Sequence, residues 1–224
     1  QKKYPNLLIV EDNCEGLFGK YNNSYSGVSS YASAVSFFAN KTVTSGEGGA
    51  VIINDKETRE YLKSFINQGN TNKRFIHNKI AQNYRMTNIQ AALLFGQLES
   101  LDEIIDKKTR LFNKYKQELS DKKWIKFQDI EKDTQHSNWM FGIRFINGLT
   151  YDKVFKHLSD KGIDSRPMFY SYEKHNFLNE FISSYKNNSN ANLVNETSII
   201  LPSYPSLEKE KIDYIINTIK EMDD

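Results

Sequence analysis

The sequence predicts an α/β chain in two parts, with a smaller α+β domain at the C-terminal end. Three observations carry that reading. The apolar run "NLLIVED" ends in two carboxylates close to the start of the chain, the pattern of a strand from a parallel sheet. A stretch from "NYRMTNIQ" to "KYKQELSD" keeps helical spacing for too long to belong to a single compact layer. Beyond it, short strands and short helices alternate. We place the domain boundary inside the long helical stretch, near residue 110, which divides the chain into residues 1–110 and 111–224.

Taken in order, "NLLIVED" is expected to be a short strand buried on both faces, delivering Glu11 and Asp12 at its C-terminal end. Open α/β sheets hold their ligands at that end. The chain enters this strand almost at once, with no earlier element to pair it, which suggests a fragment or a chain lacking its N-terminal part. "YNNSYSG" has the Asn, Ser and Gly content of a turn. "YASAVSFF" and "GGAVIIND" read as two further strands, with Gly46, Gly48 and Gly49 supplying the reversal between them. "DKETREYLKSFINQG" reads as a helix starting near Asp55 and stopped by Gly69. In the long helical stretch Ile89, Leu93, Leu101, Ile104, Leu111, Tyr115 and Leu119 recur on one face, as one helix or two nearly continuous ones. In the second part, "WIKF", "NWMFGIRF" and "IDSRPMFY" read as strands. "TYDKVFKHLSDKG" reads as a helix opened by Thr150 and closed by Gly162. "YKNNSNANLVNE" is polar and loop-like at its start, and a final helix follows "LPSYPS", capped by Ser206.

Composition excludes several classes. Hydrophobic residues at 38% and aromatics at 13% suffice for a sizeable core, against wholesale disorder. The 30 basic and 28 acidic residues are dispersed and leave a formal charge of +2, with no basic block to serve a nucleic acid. No apolar run approaches the roughly 20 residues a membrane span needs. The lone Cys14 rules out an internal disulfide framework and fits a reducing, cytoplasmic setting. His77, His136, His157 and His175 show no ligand spacing, so no metal is expected.

The residue that stands out is Lys41, in "SFFANKTVTSGEGGAVIIND", between an apolar strand and a glycine turn. A lysine so flanked is expected to be partly desolvated, which favours the neutral amine that imine chemistry requires. The plainer alternative is that it caps the strand and points to water. "GEGG" on its own fits any hairpin loop and lacks the Gly-Lys-Ser/Thr ending of a P-loop. "EDNCE" on its own fits a capping cluster at a strand end as well as a ligand site.

Together and in this order, Asp12, Glu15 three residues on, Ser36 five before Lys41, "TSGEGG" and "NYRMTNIQAALLFGQLE" resemble the DegT-type sugar-nucleotide aminotransferases. These are pyridoxal-phosphate enzymes of fold type I, and the chain looks closest to their perosamine synthase-like 4-aminotransferases. The resemblance extends to "SRPMFY" and "LPSYPSL". It implies that residues 1–110 are the C-terminal part of a large mixed-sheet domain that binds the cofactor. Lys41 is then the residue that holds the cofactor aldehyde as a Schiff base and later moves the proton. Asp12 pairs with the pyridine nitrogen, Glu15 lies near the ring and its hydroxyl, and Ser36 bonds the phosphate. Asn83 matches an asparagine that reaches the phosphate from a neighbouring subunit, so a homodimer is implied. "IQAALLFGQLE", with its apolar surface and small Ala91, Ala92 and Gly96, suits the same interface or packing on the chain's own sheet.

His77, Arg85 and Glu173 are candidate substrate contacts. For His77 the alternative is a surface histidine and for Arg85 a structural salt bridge. Glu173 stands where the family usually has histidine, and Tyr31 stands where it has aspartate. The implied reaction transfers an amino group from glutamate to a nucleotide-linked 4-keto-6-deoxyhexose. A sugar 3-aminotransferase, a dehydratase of the same family and a non-catalytic nucleotide-sugar-binding fragment are the alternatives. Relatives that dehydrate carry histidine in place of the lysine, so Lys41 argues against the dehydratase. The family's N-terminal stretch, with its first helix and Gly-Thr phosphate turn, is not in these 224 residues.

Overall fold

The computed structural model describes residues 3–181 and 189–223. The polar start expected at Tyr185 lies outside the described residues. The chain divides into two compact units, Gln1–Glu103 with Ile130–Trp139, and Ile104–Asp129 with Met140–Asp224. The single boundary expected near residue 110 did not foresee that residues 130–139 return to the first unit.

In chain order the elements begin with β1 (Val10–Asp12), β2 (Lys20–Tyr21), β3 (Ser24–Tyr25), β4 (Ala32–Ser36) and β5 (Gly49–Ile53). Helices α1 (Lys56–Ile66), α2 (Asn88–Glu99) and α3 (Leu101–Leu119) follow. The remainder is β6 (Ile125–Phe127), β7 (Thr134–Gln135), β8 (Phe141–Phe145), α4 (Tyr151–Asp160), β9 (Arg166–Pro167), α5 (Ser189–Thr197), β10 (Ser198–Leu201) and α6 (Lys209–Lys220).

The first unit is built on a three-stranded sheet in the order β1-β4-β5. β1 runs parallel to β4 with Asp12 opposite Ala34, and β5 returns antiparallel with Gly49 opposite Ser36. A second small sheet, β3-β2-β7, was not expected. Its β2–β3 hairpin turns on Asn22 and Asn23, both at positive φ (50° and 62°), as a two-residue turn between right-twisted strands demands. Asn tolerates that backbone better than other residues with a Cβ, so "YNNSYSG" is a strand–turn–strand rather than a bare turn.

Helix α1 starts where the sequence placed it, with the Asp55 carboxylate accepting the Thr58 N–H at 2.7 Å. Ser100 separates α2 from α3, so the long stretch is two helices. Thr87 and Gln90 close a capping box at the start of α2.

The strand in "NLLIVED" is not buried on both faces. Leu7, Leu8, Ile9 and Val10 are all exposed, because β1 is the edge of its sheet and the described residues do not cover it. Helix α2 likewise has no buried residue, and its Ile89, Leu93 and Phe95 are exposed.

The second unit packs an antiparallel sheet, β6-β8-β10-β9, against helices. Period-two alternation in β8 buries Phe141, Ile143 and Phe145. They share one core with Leu111, Tyr115 and Leu119 of α3, Val154 and Leu158 of α4, and Ile215, Ile216 and Ile219 of α6. Tyr115 stacks on Phe141 at 4.9 Å between ring centroids, and Phe112 meets the same ring edge-on at 5.1 Å. The strand expected over "IDSRPMFY" shrinks to Arg166–Pro167, since Pro167 has no N–H to continue the ladder. The last helix is entered through Glu208, not Ser206. A turn from Tyr204 to Leu207 absorbs that serine, and Glu208 makes no side-chain cap bond.

One buried cation belongs to this core. Lys108 is 4% exposed and donates from Nζ to the Ser203 carbonyl at 2.9 Å. Burial pulls its pKa down from 10.5 to about 8. Below pH 8 the lysine is charged both folded and unfolded, and the fold bears the full cost of burying the charge. As pH rises from 8 to 10.5 the folded chain releases the proton first, so the unfolded chain holds more protons and stability rises. Lys108→Met should remove this gain. Denaturant unfolding at pH 8 and 10.5 should show the wild-type protein gaining about 3 kcal/mol relative to the variant. Parallel stability curves for the two would show that the amine is solvated.

Candidate active site

The geometry begins with strand register. Asp12 ends β1 beside Ala34, and the Asn13 N–H extends the pairing by one residue, donating to the Ala34 carbonyl at 2.9 Å. The chain then turns, and the Asp12 carboxylate accepts the Cys14 N–H at 3.2 Å. Hydrogen bonding from Cys14, thiol first and backbone amide second, holds the Asp12 carboxyl below the usual carboxylate range, and the Lys41 charge adds to it. Asp12 is exposed and stays ionised at neutral pH. Burial and the Asp12 charge in turn push the Cys14 thiol up. Glu11 is occupied differently, accepting the Gly27 N–H at 2.8 Å. Glu11 thus braces the loop, as the capping alternative for "EDNCE" allowed, and Asp12 is exposed at the strand end.

Five residues beyond β4, Lys41 lies in a loop tied to its own backbone. The Phe37 N–H donates to the Gly48 carbonyl at 2.9 Å and the Ser45 N–H to the Phe37 carbonyl at 3.0 Å. Val43 and Ser45 are buried beneath it. The Lys41 side chain is only 11% exposed, with Nζ 3.7 Å from Glu15 Oε1, so it does not point to water. On another side Nζ lies 4.0 Å from the centroid of the Trp139 ring.

Trp139 was missed by the sequence reading, which assigned it to a strand of the second domain. It reaches Lys41 because residues 130–139 fold back onto the first unit. β7 pairs with β2, Ser137 Oγ donates to the Glu15 carbonyl at 2.9 Å, and the Trp139 indole N–H donates to the Asn40 carbonyl at 3.0 Å. No local pattern signals a contact between residues 99 apart.

The other candidates are placed as follows. Ser36 closes β4, and its Oγ accepts the Phe38 N–H at 3.3 Å. Asn83 is exposed and bridges Asn67 through its backbone. His77 is exposed, with Nδ1 2.9 Å from the Gln68 carbonyl oxygen. Arg85 is exposed, and among the described residues no ion pair engages it. Glu173 belongs to the second unit, where its Oε2 accepts from Asn192 Nδ2 at 3.2 Å. Tyr31, the residue before β4, hydrogen-bonds Thr58 of α1 through its hydroxyl. Among the described residues no group of three or more His, Cys, Asp or Glu is placed to hold a metal ion, and no helix is long and apolar enough to cross a membrane.

A near-buried primary amine and an ionised carboxylate within reach of its charge lie at the C-terminal edge of β1 and β4, where the Ser36 hydroxyl ends its strand. That donor set suits a phosphorylated pyridine aldehyde: an amine for the aldehyde, a carboxylate for the ring nitrogen and a hydroxyl for the phosphate.

The fold is one shared with solved aminotransferases. The chain belongs to the DegT/DnrJ/EryC1/StrS aminotransferase family, whose model matches residues 2–220. It is similar to a GDP-perosamine synthase of Escherichia coli O157:H7, at 36% identity over 98% of this chain and 59% of the relative. Among solved structures, Helicobacter pylori PseC, an aminotransferase involved in pseudoaminic acid biosynthesis, superposes with a TM-score of 0.88. That match has 24% identity and covers 98% of this chain and 60% of the other. A sugar aminotransferase of Streptococcus pneumoniae in its PLP form gives 0.84 at 23% identity, over 100% and 59% of the two chains. The chain thus spans about three fifths of the length of the relatives it matches.

The packing around Glu11 can be tested with two glycines of equal φ. Gly27 and Gly46 both have φ of +81°, so alanine is strained at each. A Cβ at Gly46 meets nothing within 4 Å, whereas at Gly27 it would lie 2.6 Å from Ser33 Oγ and 2.7 Å from Asn13 Nδ2. Gly46→Ala should cost about 1 kcal/mol, and Gly27→Ala a further 1–3 kcal/mol, roughly, for overpacking. Equal melting shifts in the two variants would mean that the Asn13–Ser33 packing is loose.

Proposed function

We propose that the protein is a pyridoxal-phosphate-dependent aminotransferase acting on a nucleotide-linked 4-keto-6-deoxyhexose, with glutamate as amino donor. The observation that carries the reading is Lys41, a near-buried amine close to the Asp12 carboxylate, in a chain 36% identical to a GDP-perosamine synthase over 98% of its length. When bound, the cofactor supplies an aldehyde for amine exchange and a ring that delocalises an electron pair.

The residues divide the work by their chemistry. Lys41 Nζ anchors the aldehyde carbon and, when free, moves a proton at the substrate carbon. Asp12, whose ionised form the Cys14 hydrogen bonds favour further, holds a proton at the pyridine nitrogen, which is most favourable where negative charge builds up. Ser36 Oγ is the strand-end hydroxyl offered to the phosphate. Glu15, half exposed beside Lys41, orients the ring hydroxyl. Asn83 serves the phosphate of a second subunit, and His77, Arg85 and Glu173 serve the sugar nucleotide. The uncovered apolar residues of α2 supply the surface for that second copy in a two-fold homodimer. A reducing, cytoplasmic setting suits the lone Cys14.

Borohydride reduction of the whole protein followed by peptide mapping should place the pyridoxyl label on the peptide containing Lys41. Lys41→Ala should abolish amino transfer with the fold retained. A label on another lysine sinks the assignment.

The shared-site arrangement has its own consequence. Mixing Lys41→Ala chains with Asn83→Ala chains should restore part of the activity, since one site of each hybrid dimer keeps both residues. An active monomer in sedimentation, or hybrids with no gain, rules the arrangement out.

A further inference from the structure

The contact that the proposed reaction leaves unexplained is Trp139 on Lys41. The amine lies 4.0 Å from the ring centroid, well inside the range at which an aromatic face attracts a cation. The ring itself is fixed. Its indole N–H donates to the carbonyl of Asn40, the residue next to Lys41. Two residues earlier, Ser137 Oγ donates to the carbonyl of Glu15, whose carboxylate is the other group beside the amine. The returning segment is therefore pinned to the backbone carbonyls of Asn40, next to Lys41 in the chain, and of Glu15, and the β2–β7 pairing anchors it further back. This is more fixation than a surface aromatic needs.

We infer that Trp139 is a positioning residue for Lys41: its ring face holds the free ammonium and limits the swing of the side chain between Glu15 and the strand end where Asp12 lies. The inference rests on the reading of Lys41 as the cofactor lysine, and gives that lysine a defined resting place when its nitrogen is not engaged. A long flexible side chain has rotamer freedom to lose each time it must return to one position. A ring face at one side and a carboxylate at another restrict that freedom without a covalent tie. Trp139 itself forms no bond and moves no proton in this role, and acts only through Lys41.

The test uses the whole protein, freed of aldehyde with hydroxylamine, in wild-type, Trp139→Phe and Trp139→Leu forms. Phe keeps a ring face but loses the indole N–H. Leu fills much of the volume with no ring face, so it guards against mere collapse of the site, and circular dichroism checks the fold of each. Brief acylation with an acetyl ester, read lysine by lysine by mass spectrometry, reports how free the Lys41 amine is. Trp139→Leu should label Lys41 about three- to tenfold faster than wild type, while Trp139→Phe stays within about twofold. The exposed Lys63 and Lys156 should label equally in all three. In turnover with the cofactor restored, Trp139→Leu should lower kcat with little change in the donor KM, and Phe should recover most of the loss. Equal Lys41 labelling in wild type and Leu, or equal effects of Phe and Leu, overturns the inference. Borohydride mapping of the same three proteins before the hydroxylamine treatment keeps the two readings apart. A pyridoxyl label elsewhere removes Lys41 from the chemistry, whereas the acylation ratio decides what Trp139 does to Lys41.

Discussion

Parallel pairing of β1 with β4 is the constraint on which the first unit depends. In a parallel pair both strands end on the same side, so Asp12 and Ser36 leave the sheet together. The loop after β4 then needs only five residues to bring Lys41 within reach of Asp12. An antiparallel arrangement would have sent the carboxylate and the amine to opposite ends of the sheet. The hydrogen bonds inside the loop and the burial of Val43 turn this proximity into a fixed position.

A sheet edge alone would leave the amine in water. The low exposure of Lys41 comes from groups distant in sequence, with Trp139 on one side and Glu15 on another. Each is secured through a backbone carbonyl rather than by the lysine itself. With Glu15 half exposed, an ion pair at 3.7 Å contributes little, so position here depends on the framework more than on the attraction. The second unit shows the same division between framework and charge. Its core of aromatic and aliphatic side chains holds Lys108 in place, although burying that amine works against stability below pH 8.

Much of this was legible in the sequence, and the misses have physical causes. The spacing of Asp12, Ser36 and Lys41 could be read because it follows from a strand, a neighbouring strand and a short loop. The N-cap at Asp55 was readable for the same local reason, whereas the tight reversal expected between β4 and β5 is a longer loop, residues 37–48. Residues Leu7 to Val10 were read as buried because apolar side chains call for cover, but a pattern of residues does not say whether neighbours are there to provide it. Ser206 looked like a helix cap by residue type, yet a preceding turn had already used that stretch. The β2–β3 hairpin was taken for a turn alone because two-residue strands carry too little periodicity to register.

By itself, then, the sequence determined the local chemistry: which residues end strands, where helices start, and that one lysine follows an apolar strand at a spacing shared with sugar-nucleotide aminotransferases. Only the tertiary structure decided what surrounds that lysine. The return of residues 130–139 to the first unit, the β2–β7 pairing and the placement of the Trp139 ring over Lys41 are contacts between distant segments. Local periodicity and residue type encode the preferences of neighbouring residues, whereas these contacts exist only once the chain has closed on itself, and the pattern on either side of them would be the same without them.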